Sequence, residues 1–249
     1  MALKDLDPKK IYDHILQDGY YIAKSAVNEN AIDRLRDYWL NYLKPKNINK
    51  KFVRGGLVFG EKNFLSFSNT KDWTLFRNFD FLWNKQTHDE TTNLCIDIHK
   101  IRNKAQNFDP NYGINFNEQC YGIYISTSLY PPKIGQLLLH EDGHLDVPIL
   151  HFMLPLTFKN KDYDEGGLTI IDKKNKKIDV DSICTKGDLI FFDGNCKHGV
   201  ETIHGGSVGR LAVFAIPTFF KKPHSIDVLL RSAQINLKEF KDKFKNIFN

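Results

Sequence analysis

With 249 residues, 41% hydrophobic and 13% aromatic, the chain has a globular composition and enough length for one large core, which excludes a disordered or collagen-like polymer. Its 35 basic and 30 acidic residues leave a net charge of +5, a lysine-rich excess spread along the chain. That excess permits an anionic ligand but is too dispersed to point to nucleic acid.

No apolar run is long enough to cross a bilayer, and Met1 to Pro8 carries no signal-peptide core, so a cytoplasmic protein without membrane contact is expected. Cys95, Cys120, Cys184 and Cys196 show no C-x-x-C spacing and read as reduced thiols. Cys196-Lys-His198 lacks the further ligands of a structural zinc site.

Pro8 to Gln17 reads as a short helix with proline near its start, broken by Asp18-Gly19. Tyr20 to Ala23 reads as a strand. Asn28 then caps a second helix, in which Ile32, Leu35, Trp39 and Leu43 share one face. Residues 46–88 show no clear period. Within them, Arg54 to Gly60 is glycine-rich without phosphate-loop spacing and reads as an ordinary loop. From Thr91 to Asn107, Leu94, Ile98, Ile101 and Ala105 form a helical stripe, with His99 beside it as a packing or surface residue.

After Asp109-Pro110 the period becomes strand-like. Ile123 and Ile125 alternate with Tyr124, Ser126, Ser128 and Tyr130, giving an aliphatic face and a hydroxyl-rich face suited to lining a pocket. Further strands are expected at Gln136 to His140, Ile149 to Thr157, Gly167 to Asp172, Lys177 to Val180, Asp188 to Asp193 and Arg210 to Phe219. Gly166-Gly167 suits close backbone approach at a barrel strand. The last stretch, 226–248, returns to helix. The expectation is a single domain over 1–249, mostly β with buttressing helices. It comprises a helical N-terminal part with one strand (1–108), an antiparallel sandwich or barrel core (118–220) and a C-terminal helix.

Two His-x-Asp pairs follow the aliphatic strand Leu137-Leu138-Leu139 in close succession: His140/Asp142 and His144/Asp146. Residues i and i+2 of a strand share a face, so either pair can present an imidazole and a carboxylate together. The first is preferred because it sits at the strand end, where a rigid element fixes ligand geometry. His151 reads as a core or pocket histidine. His198 follows the strand ending Phe191-Phe192-Asp193-Gly194, and Arg210 comes twelve residues later in the next apolar strand. Two imidazoles and one carboxylate on one side of an ion form the facial triad of non-haem iron chemistry, and a guanidinium beside it can hold a dicarboxylate.

On these residues the chain resembles the phytanoyl-CoA dioxygenase-like branch of the Fe(II)- and 2-oxoglutarate-dependent oxygenases. Asp18-Gly19-Tyr20-Tyr21-Ile22 with the helix from Asn28 is similar to that branch's opening. His140-Glu-Asp142-Gly143 resembles its metal motif, and His198 with Arg210 its distal histidine and co-substrate arginine. The resemblance implies a double-stranded β-helix, a jelly-roll barrel of cupin type. It implies His140, Asp142 and His198 as metal ligands and catalytic centre, and Fe(II), 2-oxoglutarate and O2 as cofactors, with ascorbate as supporting reductant. The implied reaction is hydroxylation of an unactivated C–H bond of a small molecule, with release of succinate and CO2. The carboxylate at Asp142 argues against the halogenating relatives. Where such enzymes often carry Ser or Thr after the distal His or the Arg, this chain has Val200 and Ala212. Tyr130, with Thr157 and Thr202 as further candidates, is therefore expected to help hold the co-substrate. The lysine excess and hydroxyl-rich strand lean toward a polar, anionic or sugar-like substrate. The rival expectations are a barrel that binds metal or ligand without turnover, and a cupin-like metalloenzyme that does not use 2-oxoglutarate.

Overall fold

The protein is described from a computed structural model over residues 3–44, 63–82, 84–114, 122–143 and 148–218. Helix α1 (Pro8–Asp18) starts where the Asp7 carboxylate accepts from the amides of Lys9 and Lys10, and ends where Gly19 takes the left-handed conformation. Strand β1 (Tyr20–Ala23) follows. Helix α2 (Glu29–Tyr42) is capped by Asn28, and Ile32, Leu35, Trp39 and Leu43 are all fully buried, as their spacing predicts.

The region without a clear period holds a hairpin, β2 (Phe64–Asn69) and β3 (Trp73–Phe81). The expectation of one strand before residue 109 is therefore corrected to three among the described residues. Phe64, Ser66 and Ser68 face a cavity, whereas Leu65 packs on the helical core and Phe67 stacks on Phe76. With apolar side chains on both faces, the polar–apolar alternation that marks a half-buried strand is erased. Helix α3 (Asp89–Ala105) precedes eight further strands: β4 (Gly122–Tyr130), β5 (Gln136–His140), β6 (Leu150–Pro155), β7 (Glu165–Ile171), β8 (Lys177–Asp179), β9 (Leu189–Asp193), β10 (His198–His204) and β11 (Arg210–Thr218). Arg54 to Gly60, Cys120 and the expected helix over 226–248 lie outside the described residues.

The strands pair antiparallel in the order β1-β9-β6-β11-β4-β3-β5-β10-β7-β8, with β2 added to β3. This is a jelly roll, the double-stranded β-helix. Strand β3 pairs with β4 through Phe76–Phe81 and with β5 at Trp73–Thr74, carrying the sheet from one wall to the other. Alternation sorts the side chains to the two sides of the wall. Phe152, Leu154, Phe191, Leu211 and Val213 pack against the helices, while Met153, Ile190, Phe192 and Phe214 fill the space between the walls.

Helix α3 is fastened to the wall by a buried polar latch. Arg102 donates through Nη1 to the carbonyls of Ala215 (3.0 Å) and Leu150 (3.4 Å) and through Nη2 to His99 Nδ1. His99 Nε2 in turn donates to the Tyr112 carbonyl at 2.7 Å. His99 is a packing residue. Burial, with the Arg102 charge beside it, pushes its pKa down to about 3. The unfolded chain therefore takes up a proton between pH ~6.5 and ~3 that the folded chain refuses, and stability falls with acid across that window, by at most ~1.4 kcal/mol per pH unit. Urea unfolding at pH 6.5 and 5 is expected to show His99→Gln losing roughly 2 kcal/mol less than the wild type.

Candidate metal centre

Strand β5 ends at His140 and strand β10 begins at His198, and the two are direct cross-strand partners. Their ring centroids lie 4.5 Å apart. Asp142 stands just past β5, its amide donating to the Gly194 carbonyl at 2.9 Å. The loop delivering His198 is organised by buried Asp193. Its carboxylate accepts from the amides of Ile149 and Asn195 (each 3.0 Å) and pairs with Lys173 Nζ at 3.1 Å.

One ligand atom from each of His140, Asp142 and His198 lies within 4.8 Å of the others. Nε2 of His140 is 3.5 Å from Asp142 Oδ1, and Nε2 of His198 is 3.4 Å from Oδ2. Adjacent ligands at bond lengths of ~2.1 Å stand about 3 Å apart, so each imidazole lies within about half an ångström of that spacing from one oxygen of Asp142, Oδ1 for His140 and Oδ2 for His198. The far nitrogens explain the aim. Nδ1 of His140 contacts the Leu138 carbonyl at 2.8 Å, and Nδ1 of His198 the Cys196 carbonyl at 2.9 Å. A carbonyl only accepts, so Nδ1 carries the proton and the neutral rings direct their Nε2 lone pairs toward Asp142. Two lone pairs facing a carboxylate are complementary to a cation. The donor set fits Fe(II), and divalent ions like it.

The alternative to a cation there is a proton on Nε2. Burial pushes the Asp142 carboxyl up, but the imidazoles of His140, His151 and His198 around it together outweigh burial and hold the group far below the usual carboxylate range. The nearby Asp142 carboxylate raises His140, against burial. His151 is a pocket histidine, 3% exposed, with Nε2 2.9 Å from Asp142 Oδ2 though off the line of a well-aligned hydrogen bond. Its ring stacks on Phe192. Gly194 makes room for it: a Cβ there would stand 2.5 Å from His151 Nε2. His144 and Asp146 lie outside the described residues.

The triad sits in the wall of a cavity of about 420 Å3, within the roughly 300–1,000 Å3 of small-molecule sites. Tyr130 lines it. Arg210, 1% exposed, lies behind that wall, its Cζ 5.9 Å from the Tyr130 ring and its Nη2 3.1 Å from Met153 Sδ. Two of its nitrogens are committed to Asp181: Nε to Oδ2 at 2.6 Å and Nη2 to Oδ1 at 3.1 Å. Nη1 is buried without a partner. A buried donor left unpaired costs roughly 1–3 kcal/mol, so this one nitrogen keeps the capacity for a carboxylate, although Arg210 is not among the described residues that line the cavity. Thr157 is occupied, accepting from the Leu211 amide at 2.6 Å, and Thr202 donates to Gln136 Oε1 at 2.9 Å. Of the three hydroxyls expected to help, only that of Tyr130 belongs to a residue lining the cavity.

Sequence reading missed two charged residues here. Asp181 also accepts from the Tyr163 hydroxyl (2.6 Å) and the Leu168 amide (2.8 Å), and a Cβ at Gly167 would stand 2.4 Å from its Oδ2. Its only local signal is an acid within Val180-Asp181-Ser182 after a short strand. Arg77, on β3, lines the cavity in the stretch where no strand was expected.

No protein-family model matches the chain, and no curated protein matches it in sequence. Solved structures do match. The non-heme alpha ketoglutarate dependent carbocyclase SnoK from nogalamycin biosynthesis is similar at 13% identity and a TM-score of 0.60, covering 93% of this chain and 92% of that one. A Pseudomonas putida prolyl-4-hydroxylase is similar at 15% identity and TM-score 0.57, covering 84% and 97%. EctD from S. alaskensis, solved with 2-oxoglutarate and 5-hydroxyectoine, gives 14% and 0.55, covering 86% and 77%. At these identities the likeness establishes the fold: this chain has the jelly-roll architecture shared by those three proteins.

Proposed function

We propose that the chain is an Fe(II)- and 2-oxoglutarate-dependent dioxygenase of the phytanoyl-CoA dioxygenase-like branch, hydroxylating an unactivated C–H bond of a small molecule. The observation that carries this reading is the cluster of His140, Asp142 and His198, with both imidazoles turned by backbone carbonyls to offer Nε2. The three similar structures support it: one is an alpha ketoglutarate dependent carbocyclase, one was solved with 2-oxoglutarate, and the third is a prolyl-4-hydroxylase.

In this reading His140, Asp142 and His198 would hold Fe(II). Arg210 and the Tyr130 hydroxyl would offer donors to the far carboxylate of 2-oxoglutarate. His151 steadies the Asp142 carboxylate. Phe192 and Phe214 keep water from the reacting centre. Bound iron and 2-oxoglutarate would supply the oxygen chemistry, putting one atom of O2 into the substrate and the other into succinate as CO2 leaves. A cytoplasmic location and a small-molecule substrate are part of the proposal; no described helix is long and apolar enough to cross a membrane.

A second reading, a metal-dependent barrel enzyme that does not use 2-oxoglutarate, draws on the commitment of Arg210 to Asp181. Incubation with Fe(II), ascorbate and carboxyl-labelled 2-oxoglutarate separates the two. Slow release of labelled CO2 is expected; metal binding with no 2-oxoglutarate binding would favour the second. In metal titrations His140→Ala is expected to abolish Fe(II) binding while His144→Ala retains it, and the reverse would move the centre four residues along the chain.

A further inference from the structure

The cavity holds a cation that the proposed chemistry leaves unused. Strands β2, β3 and β4 run side by side, and Ser66, Arg77 and Ser128 form one row across them in register. Arg77 is half-buried and lines the same cavity as His140 and Asp142. Its Nε donates to Ser128 Oγ at 3.1 Å, which fixes the plane of the guanidinium, and its Cζ lies 5.4 Å from the centre of the Phe79 ring. No carboxylate among the described residues pairs with it. A half-buried guanidinium without a counterion is electrostatically incomplete, and its geometry matches a planar, bidentate oxyanion.

The surroundings narrow the ligand further. Phe64 stacks on Phe79 with centroids 4.6 Å apart, and Phe79 lies 5.6 Å from Tyr124. Leu75 and Trp73 continue the apolar lining along β3. The cavity therefore offers one positive group set in an apolar and aromatic wall, with the hydroxyls of Ser66 and Ser68 beside it. Sugars and highly polar polyols would strand their hydroxyls against that wall.

Resting on the dioxygenase reading, we propose that Arg77 is the specificity-determining residue of the acceptor subsite, and that the acceptor is a small carboxylic acid with an apolar body. The carboxylate pairs with Arg77, the body lies on the Phe64–Phe79 face, and a C–H bond is thereby held toward the His140, Asp142 and His198 end of the cavity.

The test uses the full chain loaded with Zn(II) and 2-oxoglutarate, so that no turnover intervenes, and titrates 3-phenylpropionate and its uncharged isostere 3-phenylpropanamide by calorimetry. The acid is expected to bind wild type at least about tenfold more tightly than the amide, as a charge-assisted pair requires. In Arg77→Met that preference is expected to vanish, and Arg77→Lys should restore part of it. Equal binding of acid and amide to wild type, or no detectable binding of the acid, overturns the proposal without reference to any variant. The visible charge-transfer band of the anaerobic Fe(II)–2-oxoglutarate protein is recorded separately. If Arg77→Met weakens 2-oxoglutarate's hold as that band reads it, Arg77 belongs to the co-substrate and the proposal falls. If the band never forms in wild type while the acid preference persists, the dioxygenase reading fails and the Arg77 carboxylate site stands.

Discussion

Asp142→Ala is expected to abolish Fe(II) binding and, with it, release of CO2 from 2-oxoglutarate. Among the described residues Asp142 is the carboxylate that both Nε2 atoms face, so its removal takes the anionic ligand from the cluster and leaves only neutral imidazoles to hold a divalent ion. The loss should exceed the roughly 10–100-fold typical when only a partner of a ligand is removed. His151→Gln supplies that comparison. It unsettles the Asp142 carboxylate without deleting a ligand, and a decline within ~10–100-fold is expected. Metal content after dialysis and labelled CO2 release report both. Retention of stoichiometric iron by Asp142→Ala would remove the carboxylate from the centre.

Asp181→Ala is expected to destabilise the fold by roughly 3–5 kcal/mol, the cost of leaving a buried guanidinium without its counterion. Burial pushes the Asp181 carboxyl up, but the Arg210 charge, with hydrogen bonds from Arg210, Tyr163 and the Leu168 amide, prevails and holds it below the ordinary range. The double variant Asp181→Ala/Arg210→Met removes both charges, so it should recover much of that loss in urea unfolding. A double variant no more stable than Asp181→Ala would show that the acid's other two partners, and not the ion pair, carry the effect. Arg210→Met by itself should also strand Asp181 and be costly. Its influence on 2-oxoglutarate binding therefore has to be measured on protein shown to be folded.

The strands of the helix-backed wall were legible because each turns one face to the helices and one to the interior. Ile123 and Ile125 against Tyr124 and Ser126 is a pattern a period-two reading detects. The caps Asp7 and Asn28 and the stripe from Ile32 to Leu43 are equally local signals. The end of β5 at His140 followed from Leu137-Leu138-Leu139, although Leu138 and Leu139 prove about half exposed, 51% and 47%, and the aliphatic run does not mark a buried strand. What sequence could not deliver is pairing across distance. Asp181 and Arg210 are 29 residues apart with no period linking them, and the tie of α3 to the wall joins Arg102 to carbonyls 48 and 113 residues away. Arg77 was hidden for a different reason: polar and apolar side chains mix on both faces of its hairpin, Arg77 among Trp73, Leu75 and Phe79 on one and Phe76 among Thr74, Asn78 and Asp80 on the other, which blurs the period of two.

That hairpin is joined to the barrel in an unequal way. Strand β2 pairs with β3 and with no other described strand, while His140 and His198 belong to β5 and β10. Phe64, Ser66 and Ser68 can thus be exchanged without touching any backbone that fixes the imidazoles. If the proposed chemistry holds, this scaffold would let new selectivity be written on an outlying ribbon while the reactive centre stays as it is.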